Sequence, residues 1–163
     1  MQPTSPYIKA ISILHYALMA GQFFFGIIMF VLVWLKKDNS FPMQNISQQM
    51  LIACIAIAAI AYLAGNMLFK KKLENINEEN NPVAKKLEEY RAANITRWAL
   101  MEFPTLFCII IFFLTGNYSI MIVAVVMLVL FFTTKPGAQK TVADLGISLN
   151  DLDDSGTEGN KYV

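Results

Sequence analysis

The chain has 163 residues, 56% hydrophobic and 15% charged, with a mean hydropathy of +0.48 and a formal net charge of +1. A soluble domain carries about 25% charged residues, whereas Glu102 is the single charged side chain in four apolar stretches here, 10–35, 50–69, 98–114 and 119–134. That pattern excludes a soluble fold, and the near-zero net charge leaves nucleic-acid binding without an electrostatic footprint.

Each stretch is long enough, or nearly so, to cross a bilayer as a helix, which takes about 20 apolar residues. The expected fold is therefore all-α: a polytopic membrane protein with four transmembrane helices in an antiparallel bundle. Residues 1–135 form the membrane domain and 136–163 a cytoplasmic tail. The first run is too long for a signal-peptide core and lacks a small-residue cleavage site, so it should stay as helix 1. Lys36 and Lys37 follow it, in a loop over 36–49. Helix 2 should continue past the lipid through Lys70, Lys71, Lys72 and Glu74. Asn81-Pro82 then reads as a cap followed by proline at the first helical position. Val83, Leu87 and Tyr90, spaced i, i+4, i+7, predict an amphipathic lead-in to helix 3 and so a protruding helical hairpin.

Helices 3 and 4 are joined by Thr115-Gly116-Asn117-Tyr118, in which Gly116 suits a left-handed helix end and Asn117 a turn. The tail after Pro136 predicts a short helix through Asp144, stopped by Gly146. Ser148 with Asp151 resembles a capping box. Asp153 to Val163 is polar and expected to be disordered.

Charge sets the orientation. Lys9, Lys70, Lys71, Lys72, Lys85, Lys86, Arg91, Arg97, Lys135, Lys140 and Lys161 fall on one side and only Lys36 and Lys37 on the other. By the positive-inside rule both termini are cytoplasmic, with Trp34 and Trp98 at opposite interfaces. The Lys70–Lys72 run serves as a topology anchor attractive to anionic lipid.

Polar residues inside spans are functional candidates by default. At about 1.5 Å per residue, His15, Glu102 and Asn66 lie at similar depth in the cytoplasmic third. A His15–Glu102 contact is therefore expected to be possible, with Asn66, Tyr62 and Tyr16 as further partners. Ser12, His15, Gln22 and Gly26 share one side of helix 1. Cys54, Ala58, Ala61 and Gly65 make a small-residue packing face on helix 2. Pro104 leaves the Leu100 carbonyl without its helical partner, predicting a kink beside Glu102 that Thr105 could relieve.

Two cysteines in spans, Cys54 and Cys108, with one histidine cannot build a structural zinc site. They could be neighbours, but no CxxC exists. No P-loop, G-x-S-x-G or HExxH occurs, so neither metal nor cofactor nor enzymatic activity is expected. Three matches to the glycosylation pattern, at Asn45, Asn94 and Asn117, hug the spans and are read as chance.

Arg97-x-Ala99-Leu100-x-Glu102-x-Pro104, then Thr115-Gly116-Asn117-Tyr118, Pro136, Asp144-Leu145 and Ser148, resembles a family of small four-span bacterial inner-membrane proteins without an assigned activity. The likeness covers roughly residues 90–150. It implies a bacterial inner membrane and makes Glu102 and Pro104 parts of a recurring element. The resulting expectation is a non-enzymatic membrane protein, self-associating or an accessory subunit in a larger membrane complex, whose partners are the lipid bilayer and protein, with no identifiable small-molecule substrate. The alternative is a small proton-coupled transporter or channel using Glu102 and His15, with Gln22 as a polar step.

Overall fold

A computed structural model describes residues 6–36, 40–79 and 81–152. Of these, 87% are helical, and no strand occurs among them. The elements are α1 (Pro6–Trp34), a single 3₁₀ turn (Gln44–Ile46), α2 (Ser47–Glu78), α3 (Val83–Thr115), α4 (Tyr118–Thr133) and α5 (Ala138–Leu145). Three helical segments are long and apolar enough to cross a membrane. A fourth exists if α4 and α5, bent by 72° at their junction, are counted together.

Helix α3 is the centre of the molecule and contacts α1, α2 and α4. Half of its apolar window is buried, against 17% for those of α1 and α2. The reason lies in composition: α1 buries one narrow strip that holds its polar and small residues His15, Gln22 and Gly26, while the rest of its surface is apolar and leaves Phe24, Ile28 and Trp34 exposed.

The hairpin between α2 and α3 extends well beyond the apolar stretches, as the charge pattern anticipates. Its two arms are continuous with the helices below, so the lead-in of Val83, Leu87 and Tyr90 and the apolar run of α3 form one 33-residue helix. The cap differs from expectation by one position. Pro82 itself is the N-cap, with ψ 149°, and its carbonyl takes the first bond from Lys86 N at 3.1 Å. Asn81 is turned away and accepts from Lys85 Nζ at 3.2 Å.

The turn at 115–118 forms as its residues require. Gly116 has φ 67° and caps α3, its N–H bonding Phe112 O at 2.8 Å. A Cβ there would collide with the edge of the Phe41 ring. Asn117 caps α4 by accepting from Ser119 N at 3.0 Å. Gly146 (φ 61°) ends α5, and Ser148 and Asp151 make the reciprocal box, with Ser148 N to Asp151 Oδ2 at 3.0 Å and Asp151 N to Ser148 Oγ at 3.2 Å. The tail does not stand apart: Leu145 and Leu152 are buried with Ile76, Leu87 and Tyr90 in a small core between the hairpin arms. Lys37 and the stretch 153–163 lie outside the described residues.

Candidate functional site

His15 organises the polar level. It is fully buried, and its ring stacks on Phe131 of α4 with centroids 4.8 Å apart and meets Trp98 of α3 edge-on at 4.9 Å. Nε2 lies 3.1 Å from the Phe131 carbonyl oxygen. That oxygen can only accept, so Nε2 carries the hydrogen and Nδ1 is left as a bare acceptor. Nδ1 and the Trp98 indole N–H are both buried without a partner among the described residues. The Phe131 carbonyl also takes the Thr134 hydroxyl at 2.7 Å, and Tyr16 touches His15 from the outer side at 5.9 Å between centroids.

Trp98 is thus a core residue, covered by protein rather than exposed on the outer surface. The helical register places it one turn from Met101 and two from Thr105, on the face that α1 and α4 cover.

Glu102 does not join His15. It follows the buried Met101 and precedes the exposed Phe103, so its carboxylate sits half-exposed on the flank of α3. Among the described residues neither a hydrogen bond nor an ion pair holds it. Phe131 and Trp98 already fill the space around the imidazole. Arg97, the other conceivable partner, is taken: its Nη2 donates to Asn66 Oδ1, and its guanidinium lies over the Phe69 ring at 5.0 Å. Asn66 in turn donates to the Tyr62 carbonyl at 2.9 Å. Asn66 and Tyr62 therefore serve an α2–α3 tie with Arg97.

Gln22 is buried further along α1. Its Nε2 donates to Leu18 O at 3.4 Å, while Oε1 has no partner among the described residues. Together with Gly26, Thr105, Ile109 and Ala124 it lines an apolar crevice of about 200 Å³ between α1, α3 and α4. Ser12 is half-buried on the same side of α1. Helix α3 runs through Pro104 as one element, and Thr105 Oγ1 donates to Met101 O at 3.1 Å.

Cys54, Ala58, Ala61 and Gly65 are buried residues of α2. A Cβ on Gly65 would lie 3.6 Å from the Arg97 carbonyl, a measure of how closely α2 and α3 approach. Cys54 and Cys108 are free thiols within hydrogen-bonding reach of each other across that interface.

Sequence reasoning missed the contacts that seat the tail. Tyr90 donates to Asp144 Oδ2 at 2.8 Å, Asn77 Nδ2 to Asp144 O at 2.9 Å, and Tyr7 to Leu87 O at 2.7 Å. Burial, and then the Asp144 contact, push the Tyr90 phenol well above its ordinary range, and burial does the same to Tyr7. The signal available was two tyrosines beside helical stretches of otherwise polar sequence. Lys72, read as an anchor, also bonds Thr96 Oγ1 at 3.0 Å and so ties the hairpin.

Chemically, the polar level holds dipoles and one acid. No three His, Cys, Asp or Glu side chains converge as a metal would need among the described residues. No family model, curated protein or solved structure matches the chain.

Proposed function

We propose that the chain is an integral membrane protein whose task is assembly: it self-associates or serves as an accessory subunit packed against larger membrane proteins. In this reading α1 to α4 are four antiparallel spans in a bacterial inner membrane, with both termini and the α2–α3 hairpin in the cytoplasm. The asymmetry of basic residues supports that orientation. Helix α4 has 16 residues, about 24 Å at 1.5 Å each, short for a hydrocarbon core of about 30 Å. Its elbow at Thr134 coincides with the end of the fourth apolar stretch, which supports a span finishing there.

Glu102 carries the reading. A carboxylate on an outer flank within a span is costly, by a few kcal/mol at the bilayer centre and less off it. Nothing described in the same chain satisfies it. A helix of a second copy or of a partner, docked over Ala99, Glu102 and Phe103, removes that cost by supplying a hydrogen-bond donor.

Cross-linking in native membranes tests this. With Cys54 and Cys108 replaced by alanine, an Ala99→Cys chain should yield an oxidised dimer or a heavier adduct. A cysteine at Lys85, on the exposed hairpin, serves as the comparison. Absence of any adduct at Ala99, or equal adducts at both positions, contradicts the proposal. The transport reading ranks second because it needs Glu102 and His15 to exchange a proton, whereas His15 is bonded to Phe131 and enclosed by Trp98.

A further inference from the structure

Where α1 meets the elbow between α4 and α5, a groove of about 570 Å³ is walled by Ile8 and Ser12 on one side and by Lys135, Gly137, Gln139 and Lys140 on the other. Its lining is part apolar and part cationic. Lys135 is the first charged residue after the apolar run of α4, and its Nζ stands over the Tyr16 ring at 5.0 Å. Lys140 comes from the first turn of α5. Burial, and then the nearby Arg97 charge, push the Lys140 ammonium below its ordinary range.

No ion pair holds these cations: those among the described residues are of Lys85 with Glu79 and Glu89, and none involves Lys135, Lys140 or Arg97. Asp144, which accepts from the neutral Tyr90 phenol, offsets part of the charge of Lys140 and Arg97 and leaves an excess of positive charge with Lys135. Net positive charge lining a concavity favours an anion. The level of the groove adds a second constraint. The first apolar stretch begins at Ala10 and the fourth ends at Thr134, so Ile8 and Ser12 bracket one boundary and Lys135 marks the other. A ligand here has its charged part at the lipid–water boundary and its apolar part on the Ser12 side of it.

We infer that this groove binds the headgroup of an anionic phospholipid, with the phosphate between Lys135 and Lys140 and the start of the acyl chains running past Ser12 along the apolar stretch of α1. The inference rests on the membrane reading above and adds a specific lipid contact to it. Gly137 brings no capping side chain to α5, so the opening N–H groups of that helix supplement the two lysines.

Native mass spectrometry of the full chain in mild detergent, titrated with phosphatidylglycerol or phosphatidylcholine, tests it. The expected result is one phosphatidylglycerol retained in preference to phosphatidylcholine. Lys135→Gln with Lys140→Gln should weaken retention about thirtyfold, from the usual contribution of a basic residue near anionic lipid. Lys85→Gln with Lys86→Gln, bases of the α2–α3 hairpin away from the groove, should leave it unchanged. Ser12→Asp keeps both groove lysines, adds a negative charge to the groove and should also release the lipid. Equal binding of the two lipids, equal loss in the Lys85/Lys86 variant, or displacement of phosphatidylglycerol by inorganic phosphate alone overturns the proposal. Circular dichroism showing the same helicity in each variant excludes misfolding as the cause. Extraction of the chain from native membranes by alkaline carbonate would overturn the membrane reading itself, a result distinct from loss of lipid preference in a chain that stays embedded.

Discussion

Tyr90 on α3 donates its phenolic hydrogen to Asp144 on α5 at 2.8 Å, across 54 residues of sequence. The bond fastens the last described helix to the α2–α3 hairpin, and Leu145 and Leu152 bury themselves beside it. Removing the hydroxyl with Tyr90→Phe leaves the ring in place and takes away a hydrogen bond to a charged acceptor, a loss of about 1.5–3 kcal/mol. The tail after Pro136 should then be cut faster by protease while the remaining helices resist. Unchanged cleavage would mean that the apolar contacts alone hold it.

Alkali should act in the same direction. Burial, chiefly, raises the Tyr90 and Tyr7 phenols above the ordinary value of about 10. The folded chain thus holds these protons more tightly than the released tail does. Their contribution is fully present below the ordinary value and is lost as pH rises through the raised ones. In an ultraviolet titration of phenolate, the absorbance lost on Tyr7→Phe with Tyr90→Phe should be that which develops above the ordinary value, together with release of the tail. Loss of absorbance that develops at the ordinary value contradicts this.

Gly116 closes α3 at φ 67°, with the Phe41 ring where a side chain would begin. Gly116→Ala meets both left-handed strain and that ring, and should cost about 1–3 kcal/mol. The readout is a lowered thermal midpoint in detergent. A midpoint equal to that of the unaltered chain would show that the Phe41 loop moves freely aside.

Gln22 presents the opposite case. Its Oε1 is buried without a partner among the described residues, and an unsatisfied buried acceptor costs about 1–3 kcal/mol. Gln22→Leu, which keeps the volume and removes the polar atom, should raise the thermal midpoint. A lowered midpoint would show that the amide has a partner in the membrane that justifies its place.

The ends of helices were legible in the sequence because each is decided locally. Gly116, Asn117, Gly146, and Ser148 with Asp151 perform their turns within a few residues of themselves. Apolar length likewise marked three segments able to cross a membrane, and the fourth stretch reaches that length only if α4 and α5 are taken together. The rotation of each helix was not legible where the sequence is apolar on every side. Depth placed His15 and Glu102 on one level, but α3 presents Trp98 to the imidazole and carries Glu102 to its flank. The burial of Trp98 was hidden for the same reason: a tryptophan beside Arg97 gives no sign of being covered until the packing of α1 and α4 is known. The Tyr90–Asp144 bond depends on the 72° elbow after α4, which no local pattern encodes.

The proposed cover of Glu102 by another helix is open to light scattering on the purified chain in mild detergent, comparing the unaltered protein with Glu102→Leu. The unaltered protein should show more than one chain, or a retained partner, per micelle, and the variant should shift toward a single chain. A single chain per micelle for both across the concentration range, with no partner retained from native membranes, would contradict it.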